Sequence, residues 1–388
     1  MINNKRKVLV LIPNFLPGYK MGGPLTSIIN TIENLSSDFC FEVLTSDRDM
    51  GDNKPYDNIN FNVWLKKNTY DICYVNSNIL MLFRLLKSIN SSKADVIYLN
   101  SLFHPIFSIF IILSNKIGLI KAKKIILSPR GETYDEALNF KKKKKKIYIF
   151  VAKSLNLYKR IYWHASTEFE KQSIIKNMNI KHEMIHVALN LTQKINKEEI
   201  AKNDIIQKNN ELLHIIFLSR VSKDKNILYT FEVLKKIKSK VVFHIYGPLE
   251  DLYIWEICKE KIKNLPKNIE VEYKGTVAKE NVKKIFGEYD LMFLPTLAEN
   301  FGHVIVESLS VGTPVLISDN TPWRDLESKW YGWDFSLNEP NLFVEAIDFI
   351  SNLSVEEKTK MKIKRREDFI DFLDNPETLE ANKELFKL

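Results

Sequence analysis

Cysteine is scarce in this chain: Cys40, Cys73 and Cys258 are the only three among 388 residues. They are scattered, odd in number and spaced unlike any metal-binding pattern. That excludes a disulfide scaffold and points to a reduced, cytoplasmic protein. Long apolar runs are missing as well. The opening MINNKRKVLVLIP has a basic start, but its apolar run stops at Pro13. It reads as a first buried strand rather than a signal peptide. Residues 105–113, PIFSIFIIL, are strongly apolar but fall far short of the roughly 20 residues that span a bilayer. We expect a buried helix there. No G-x-G-x-x-G fingerprint, P-loop or G-x-S-x-G elbow occurs. No cluster of His, Cys and carboxylates suggests zinc, and no RNA- or DNA-binding motif accompanies the basic residues. We therefore expect no metal, no cofactor and no nucleic-acid partner.

What is present is an ordinary globular composition, 45% hydrophobic and 27% charged, on a chain long enough for two domains. The net charge of +9 is unevenly placed. Residues 1–200 hold 30 Lys+Arg against 17 Asp+Glu, and the remainder holds 27 against 31. The excess concentrates at Lys121 to Lys124 and in the run Lys141 to Lys146. Ile147, Tyr148, Ile149 and Phe150 follow that run directly. An interfacial helix lying on an anionic membrane surface has this pattern. So does a helix packed on its domain with a wet basic face.

The first half alternates short apolar strands with helices. Strands are expected at Val8 to Ile12, Phe41 to Thr45, Ile72 to Val75, Val96 to Leu99, Lys124 to Leu127 and Arg160 to Ala165. Helices are expected at Thr26 to Asn34, 105–118 and 136–156. This is the rhythm of a doubly wound parallel sheet. Around 190–211 the chain turns polar and irregular, as a linker would. The pattern then restarts, with strands at Leu213 to Leu218, Val241 to Tyr246, Ile269 to Tyr273, Leu291 to Leu294 and Val315 to Ser318. Helices fall between them at Ile227 to Ile237, 250–263 and 279–287. We place an N-terminal domain at 1–195, a C-terminal domain at 205–360, and charged helices at 361–388.

Residues 295–319, PTLAENFGHVIVESLSVGTPVLISD, carry Glu299 and Glu307 eight positions apart. Glu299 lies in the loop at the carboxyl end of a strand, and Glu307 about two turns into the following helix. Ligands bind in that crevice of open α/β sheets. A helix start there offers N–H groups and partial positive charge to a diphosphate. Acidic residues on either side suit the hydroxyls of a sugar and of a ribose. The loop SRVSKDKN, 219–226, offers Arg220 and Lys225 after another strand, a diphosphate clamp or two surface cations. In GYKMGGPL, 18–25, Gly22 and Gly23 permit close approach of backbone to a ligand, or form a plain turn. Asp47-Arg48-Asp49 is formally a D-x-D, which we read as a loop feature rather than a metal site.

The 295–319 segment resembles the E-x7-E signature of family-4 retaining glycosyltransferases. It matches in both glutamates, in the S-V-G-T-P turn and in the strand after it. Arg220 and Lys225 match that family's R-x4-K element, and the glycine loop at 18–25 is similar to its N-terminal loop. The resemblance implies a GT-B fold, two Rossmann-like domains facing a cleft, and the last helices often cross back to the first domain. It also implies a nucleotide-sugar donor, by default a UDP-sugar, and transfer without metal. Glu299 would hold donor-sugar hydroxyls and Glu307 the ribose. Backbone N–H groups at Asn300, Phe301 and Gly302 would meet sugar and phosphates, and Arg220 and Lys225 would neutralise the leaving diphosphate. Many relatives carry a histidine where Asn100 stands, and another where Arg130 aligns. This chain departs at both and resembles a subgroup reading S-P-R-G-E. Arg130 and Glu132 there face a substrate or pair with each other. His104 either contacts the acceptor or caps a helix, and His303 either contacts the sugar or lies on the surface of a first turn. Trp323 packs in the cleft or in the core. The acceptor implied is a glycan, lipid-linked at the inner face of the membrane, in O-antigen, capsule or exopolysaccharide assembly. A non-catalytic sugar-nucleotide-binding scaffold and a GT-B epimerase are the rival readings.

Overall fold

Two parallel sheets organise the molecule. The computed structural model describes residues 5–139, 142–193 and 212–387. The chain divides into one unit of Met1–Lys194 with Pro376–Leu388, and a second of Ile195–Asn375. The linker expected around 190–211 lies almost wholly outside the described residues.

The first unit holds β1 (Arg6–Leu11), β2 (Phe39–Ser46), β3 (Trp64–Lys66), β4 (Tyr70–Val75), β5 (Val96–Asn100), β6 (Lys124–Ser128), β7 (Tyr162–Ala165) and β8 (Ile185–Val187). Their order across the sheet is β3-β4-β2-β1-β5-β6-β7-β8. Every pairing is parallel except β3 with β4. The inner strands read as continuous apolar runs because both faces are covered. Side chains alternate between the faces. Leu9 and Leu11 point into the core formed with the helices Met81–Ser92, Pro105–Lys116, Lys142–Ser154 and Glu168–Met178. Val8 and Val10 point into the opposite core, with the helices Gly23–Leu35 and Pro376–Phe386.

The second unit holds β9 (Leu213–Leu218), β10 (Val241–Tyr246), β11 (Ile269–Gly275), β12 (Leu291–Leu294), β13 (Val315–Ser318) and β14 (Gly332–Phe335). Their order is β11-β10-β9-β12-β13-β14, all parallel. In each sheet the order reverses at one strand. β1 lies between β2 and β5, and β9 between β10 and β12. The loops leaving the carboxyl ends there are those of a topological switch point.

The structure departs from the sequence expectations in places. The helix expected at 105–118 starts as a π-helical turn, Pro105–Phe110, before Ile111–Lys116. The strand expected from Arg160 starts at Tyr162. The helices at 81–92, 168–178 and 340–351 and the short strands β3, β8 and β14 were not anticipated. The tail expected as one group of helices at 361–388 divides. The helix Val355–Leu373 stays with the second unit, where buried Arg365 donates to the carbonyls of Trp330 (2.5 Å) and Gly312 (2.7 Å). A Cβ on Gly312 would lie 2.1 Å from the Lys362 carbonyl oxygen, so glycine permits that contact. Pro376 starts a new helix that belongs to the first unit. There Phe386 meets Phe39, Phe41 and Tyr98 edge to face at 5.6, 6.0 and 5.3 Å. Lys124 Nζ caps this helix by donating to the Leu385 carbonyl at 3.0 Å.

Candidate active site

At the switch point of the second sheet, two loops are laced together. β9 leads into Ser219–Asn226, and β12 into Pro295–Gly302. The Leu297 N–H and the Thr296 hydroxyl both donate to the Asp224 carbonyl, at 2.7 and 3.0 Å. Asn226 Nδ2 donates to the Pro295 carbonyl at 3.0 Å. Gly247, at φ 132°, lets β10 close on the first loop, since a Cβ there would lie 1.9 Å from the Ser219 carbonyl oxygen. The lacing sets the charged side chains.

Lys225 is buried, and its Nζ lies 2.9 Å from Glu299 Oε2 and 3.6 Å from Asp224. Arg220, half-exposed, pairs with Asp224 at 3.4 Å and with Glu250. Burial pushes the Asp224 carboxyl up, but Lys225, the Ser222 hydroxyl and Arg220 outweigh it and hold it below the usual range. The structure thus joins Lys225 and Glu299 directly, and Arg220 to them through Asp224. Asp224 and Glu250 were not anticipated. Asp224 lies within the same loop motif, whereas Glu250 is brought in only by the turn after β10.

Glu307 sits in the helix His303–Ser310. Burial pushes its carboxyl up to about 7, against the smaller opposing pull of Lys279 and Lys283. No described residue donates a hydrogen bond to that carboxyl. Gly302 precedes the helix at φ 78°, and a Cβ there would meet Ile305 Cδ1 at 2.7 Å and Glu299 Cγ at 3.2 Å. Glycine therefore lets Glu299 fold against the helix start. The Asn300 N–H is already engaged by Glu299 Oε1 at 3.1 Å. Those of Phe301, Gly302 and Val304 meet no acceptor among the described residues, as expected of a helix start. The Phe301 side chain packs inward, whereas the contact expected of this residue is through its backbone N–H. It is buried, its carbonyl accepts from Trp323 Nε1 at 2.5 Å, and its ring packs on Trp323 and, at 4.8 Å, on His303. It shapes the loop from beneath. Trp323 is likewise a core residue, packed also on Phe369.

At the switch point of the first sheet most of the expected side chains already have protein partners. Gly22 (φ 64°) and Gly23 start the helix Gly23–Leu35. Their loop is pinned by Asp49, whose carboxylate accepts from the N–H groups of Tyr19 (2.8 Å) and Lys20 (3.1 Å). Asp47 accepts from Ser77 and Arg48, so both aspartates of the D-x-D are spent on loops. Among the described residues no group of three His, Cys, Asp or Glu is placed to hold a metal. Arg130 and Glu132 do not pair. Arg130 donates to Asn100 Oδ1 (2.8 Å), Asn190 Oδ1 (2.6 Å) and the Tyr98 hydroxyl (3.0 Å). Tyr98 in turn contacts His164 Nδ1 at 2.6 Å, and burial lowers that imidazole to about 3. Glu132 accepts from the Ser101 hydroxyl (3.0 Å) and from the N–H groups of Leu102 and Phe103. It closes the loop after β5 rather than offering a free carboxylate, and burial raises its pKa. His104 is a helix cap: Nδ1 accepts from the N–H groups of Ile106 (3.3 Å) and Phe107 (3.0 Å). Burial lowers it to about 4, so the ring is neutral.

Residues 197–368 match the family model described as Glycosyl transferases group 1. An uncharacterized 41.2 kDa protein in the cps region of Klebsiella pneumoniae is 28% identical over 271 residues, 68% of this chain and 71% of that protein. Among solved structures, HepE of Anabaena in complex with UDP-glucose superposes with a TM-score of 0.70 at 15% identity, over 98% of each chain. The lipopolysaccharide outer core galactosyltransferase WaaB does so at 0.65 and 14%, also over 98% of each. The chain carries a group 1 glycosyl transferase domain in its second half and has the GT-B fold.

Proposed function

We propose that this protein is a retaining glycosyltransferase that moves a sugar from a UDP-sugar to a lipid-linked glycan of a cell-envelope polysaccharide. One observation carries the reading. Lys225, Glu299 and Arg220 form a single charged cluster at the carboxyl ends of β9 and β12, within the domain that matches group 1 glycosyl transferases. The structural neighbour that holds UDP-glucose supports the donor class. The cps-region relative and WaaB support the envelope acceptor.

In this reading the diphosphate replaces carboxylates as the partner of Arg220 and Lys225. Lys225 releases Glu299, whose carboxylate then accepts from donor-sugar hydroxyls. The ribose diol donates to Glu307, whose carboxyl accepts no hydrogen bond from the described residues. The sugar C1–O bond to the β-phosphate breaks, and the acceptor oxygen bonds to C1 from the same face. The acceptor proton passes to the departing phosphate oxygen, so no protein base is required. The cations stabilise charge that grows on the diphosphate, which makes the transfer metal-independent. Glycan acceptors fall to the first unit.

Thermal unfolding with UDP, GDP, ADP and their sugars, with and without EDTA, tests the donor reading. A ligand at 100 times its Kd stabilises by about 2.7 kcal/mol. We expect a shift with uridine nucleotides that EDTA leaves unchanged. No shift with any of them would overturn the donor site, and interconversion of sugars without acceptor would identify an epimerase instead.

A further inference from the structure

The helix Lys142–Ser154 turns apolar side chains outward. Ile147, Phe150 and Val151, at i, i+3 and i+4, share one face, and Ile147 and Phe150 are 65% and 72% exposed. Leu155 continues the strip. The neighbouring helix adds Leu113 and Ile117, and Lys116 Nζ ties it to the Leu155 carbonyl. These are not displaced core residues, because the inner face is firmly docked. Ala152 is buried, Tyr148 packs on Phe103 at 5.7 Å, and its hydroxyl meets that of Tyr158 at 2.5 Å. Lys145 also points inward, donating to the Ala137 carbonyl at 2.7 Å with its ammonium over the Phe103 ring. Lys142–Lys144 and Lys146 remain exposed at the start of the helix.

Charge identifies the occupant. Residues 72–167 carry 17 Lys+Arg against 4 Asp+Glu, and 137–167 contain no acidic residue at all. An apolar strip within so positive a field fits a surface that is apolar inside and anionic outside. We propose that the outer face of Lys142–Ser154, with Leu113 and Ile117, docks on an anionic lipid bilayer. Ile147, Phe150 and Val151 enter the headgroup boundary, and the lysines meet lipid phosphates. The helix has 13 residues, so it lies in the interface and does not cross it.

Cosedimentation of the full chain with phosphatidylcholine vesicles, with and without about 30% phosphatidylglycerol, tests this. We expect binding to the anionic vesicles only, weakening as salt rises. Ile147→Ser, Phe150→Ser and Val151→Ser together should weaken it at least about tenfold. Lys143→Gln with Lys146→Gln should weaken it about fivefold per lysine. Both variants should keep the parent melting temperature, because they touch only the outer face. Equal binding to both vesicles, no binding, or binding unchanged in either variant would overturn the proposal. So would a dimer in solution that the serine variant turns into monomer, which would make the face an interface between copies.

Discussion

The two sheets present the same topological opportunity and use it differently. At the carboxyl ends of β9 and β12, the Lys225–Glu299 pair is joined through Asp224 to half-exposed Arg220, and burial raises the nearby Glu307 carboxyl. At the ends of β5 and β6, Arg130 is spent on Asn100, Asn190 and Tyr98, and Glu132 on the loop 101–103. The first cluster is charge against charge in two laced loops. The second binds a cation with neutral acceptors, and its carboxylate is closed over by N–H donors. A buried carboxylate that accepts several protein hydrogen bonds already has the partners that burial requires. A carboxylate to which no described residue donates still lacks them.

Substitutions that separate activity from stability would break this contrast most sharply. Lys225→Ala or Glu299→Gln should lower kcat by about 100- to 1000-fold, as loss of a preorganised charge does. The melting temperature should move little for Glu299→Gln, where Lys225 keeps Asp224 as a partner, and turnover with the parent's UDP-sugar checks both variants. Glu132→Ala should do the reverse. Three partly buried donors lose their acceptor, at about 1–3 kcal/mol for an unsatisfied group, while UDP binding survives in whatever fraction stays folded. Chemical denaturation beside UDP titration distinguishes the two patterns.

Glu307 sharpens the comparison through pH. Its carboxyl is raised to about 7. Its contribution to stability is therefore full below the ordinary carboxylate range and is lost as pH rises through about 7. Glu307→Gln should raise the melting temperature at pH 8 and leave it unchanged at pH 4. A ribose that needs the ionised form should bind about tenfold more weakly per pH unit below 7. Uridine, which has no phosphate to titrate, is the ligand for that measurement, and the glutamine variant should lose the dependence. Gly302→Ala should have the smallest effect, about 1 kcal/mol for a left-handed position. The clash it adds is with the flexible end of Ile305, and calorimetric melting measures the result.

Much of the fold is legible in the chain because the inner strands are buried on both faces and read as unbroken apolar runs. The edge strands do not: β3 (WLK) and β14 (GWDF) are short and half-covered, and leave no such run. In the candidate site, Arg220, Lys225 and Glu299 are legible because each follows a strand end in a recognisable loop. The burial of the Phe301 side chain is not legible, because it depends on Trp323, 22 residues on. Glu132 and His104 stay ambiguous in sequence for a chemical reason. A carboxylate or imidazole that caps a loop has the same letter as one that meets a substrate, and only the donors around it tell them apart. Asn190 is invisible beside Arg130, 60 residues away, until the sheet closes.

The helix Pro376–Phe386 has a consequence for synthesis. Phe386 fills a fully buried place among Phe39, Phe41 and Tyr98, strands made some 300 residues earlier. During translation the first unit must therefore wait, with that aromatic cluster uncovered, while the whole second unit is made. A nascent chain stalled before residue 376 would hold an incomplete first core.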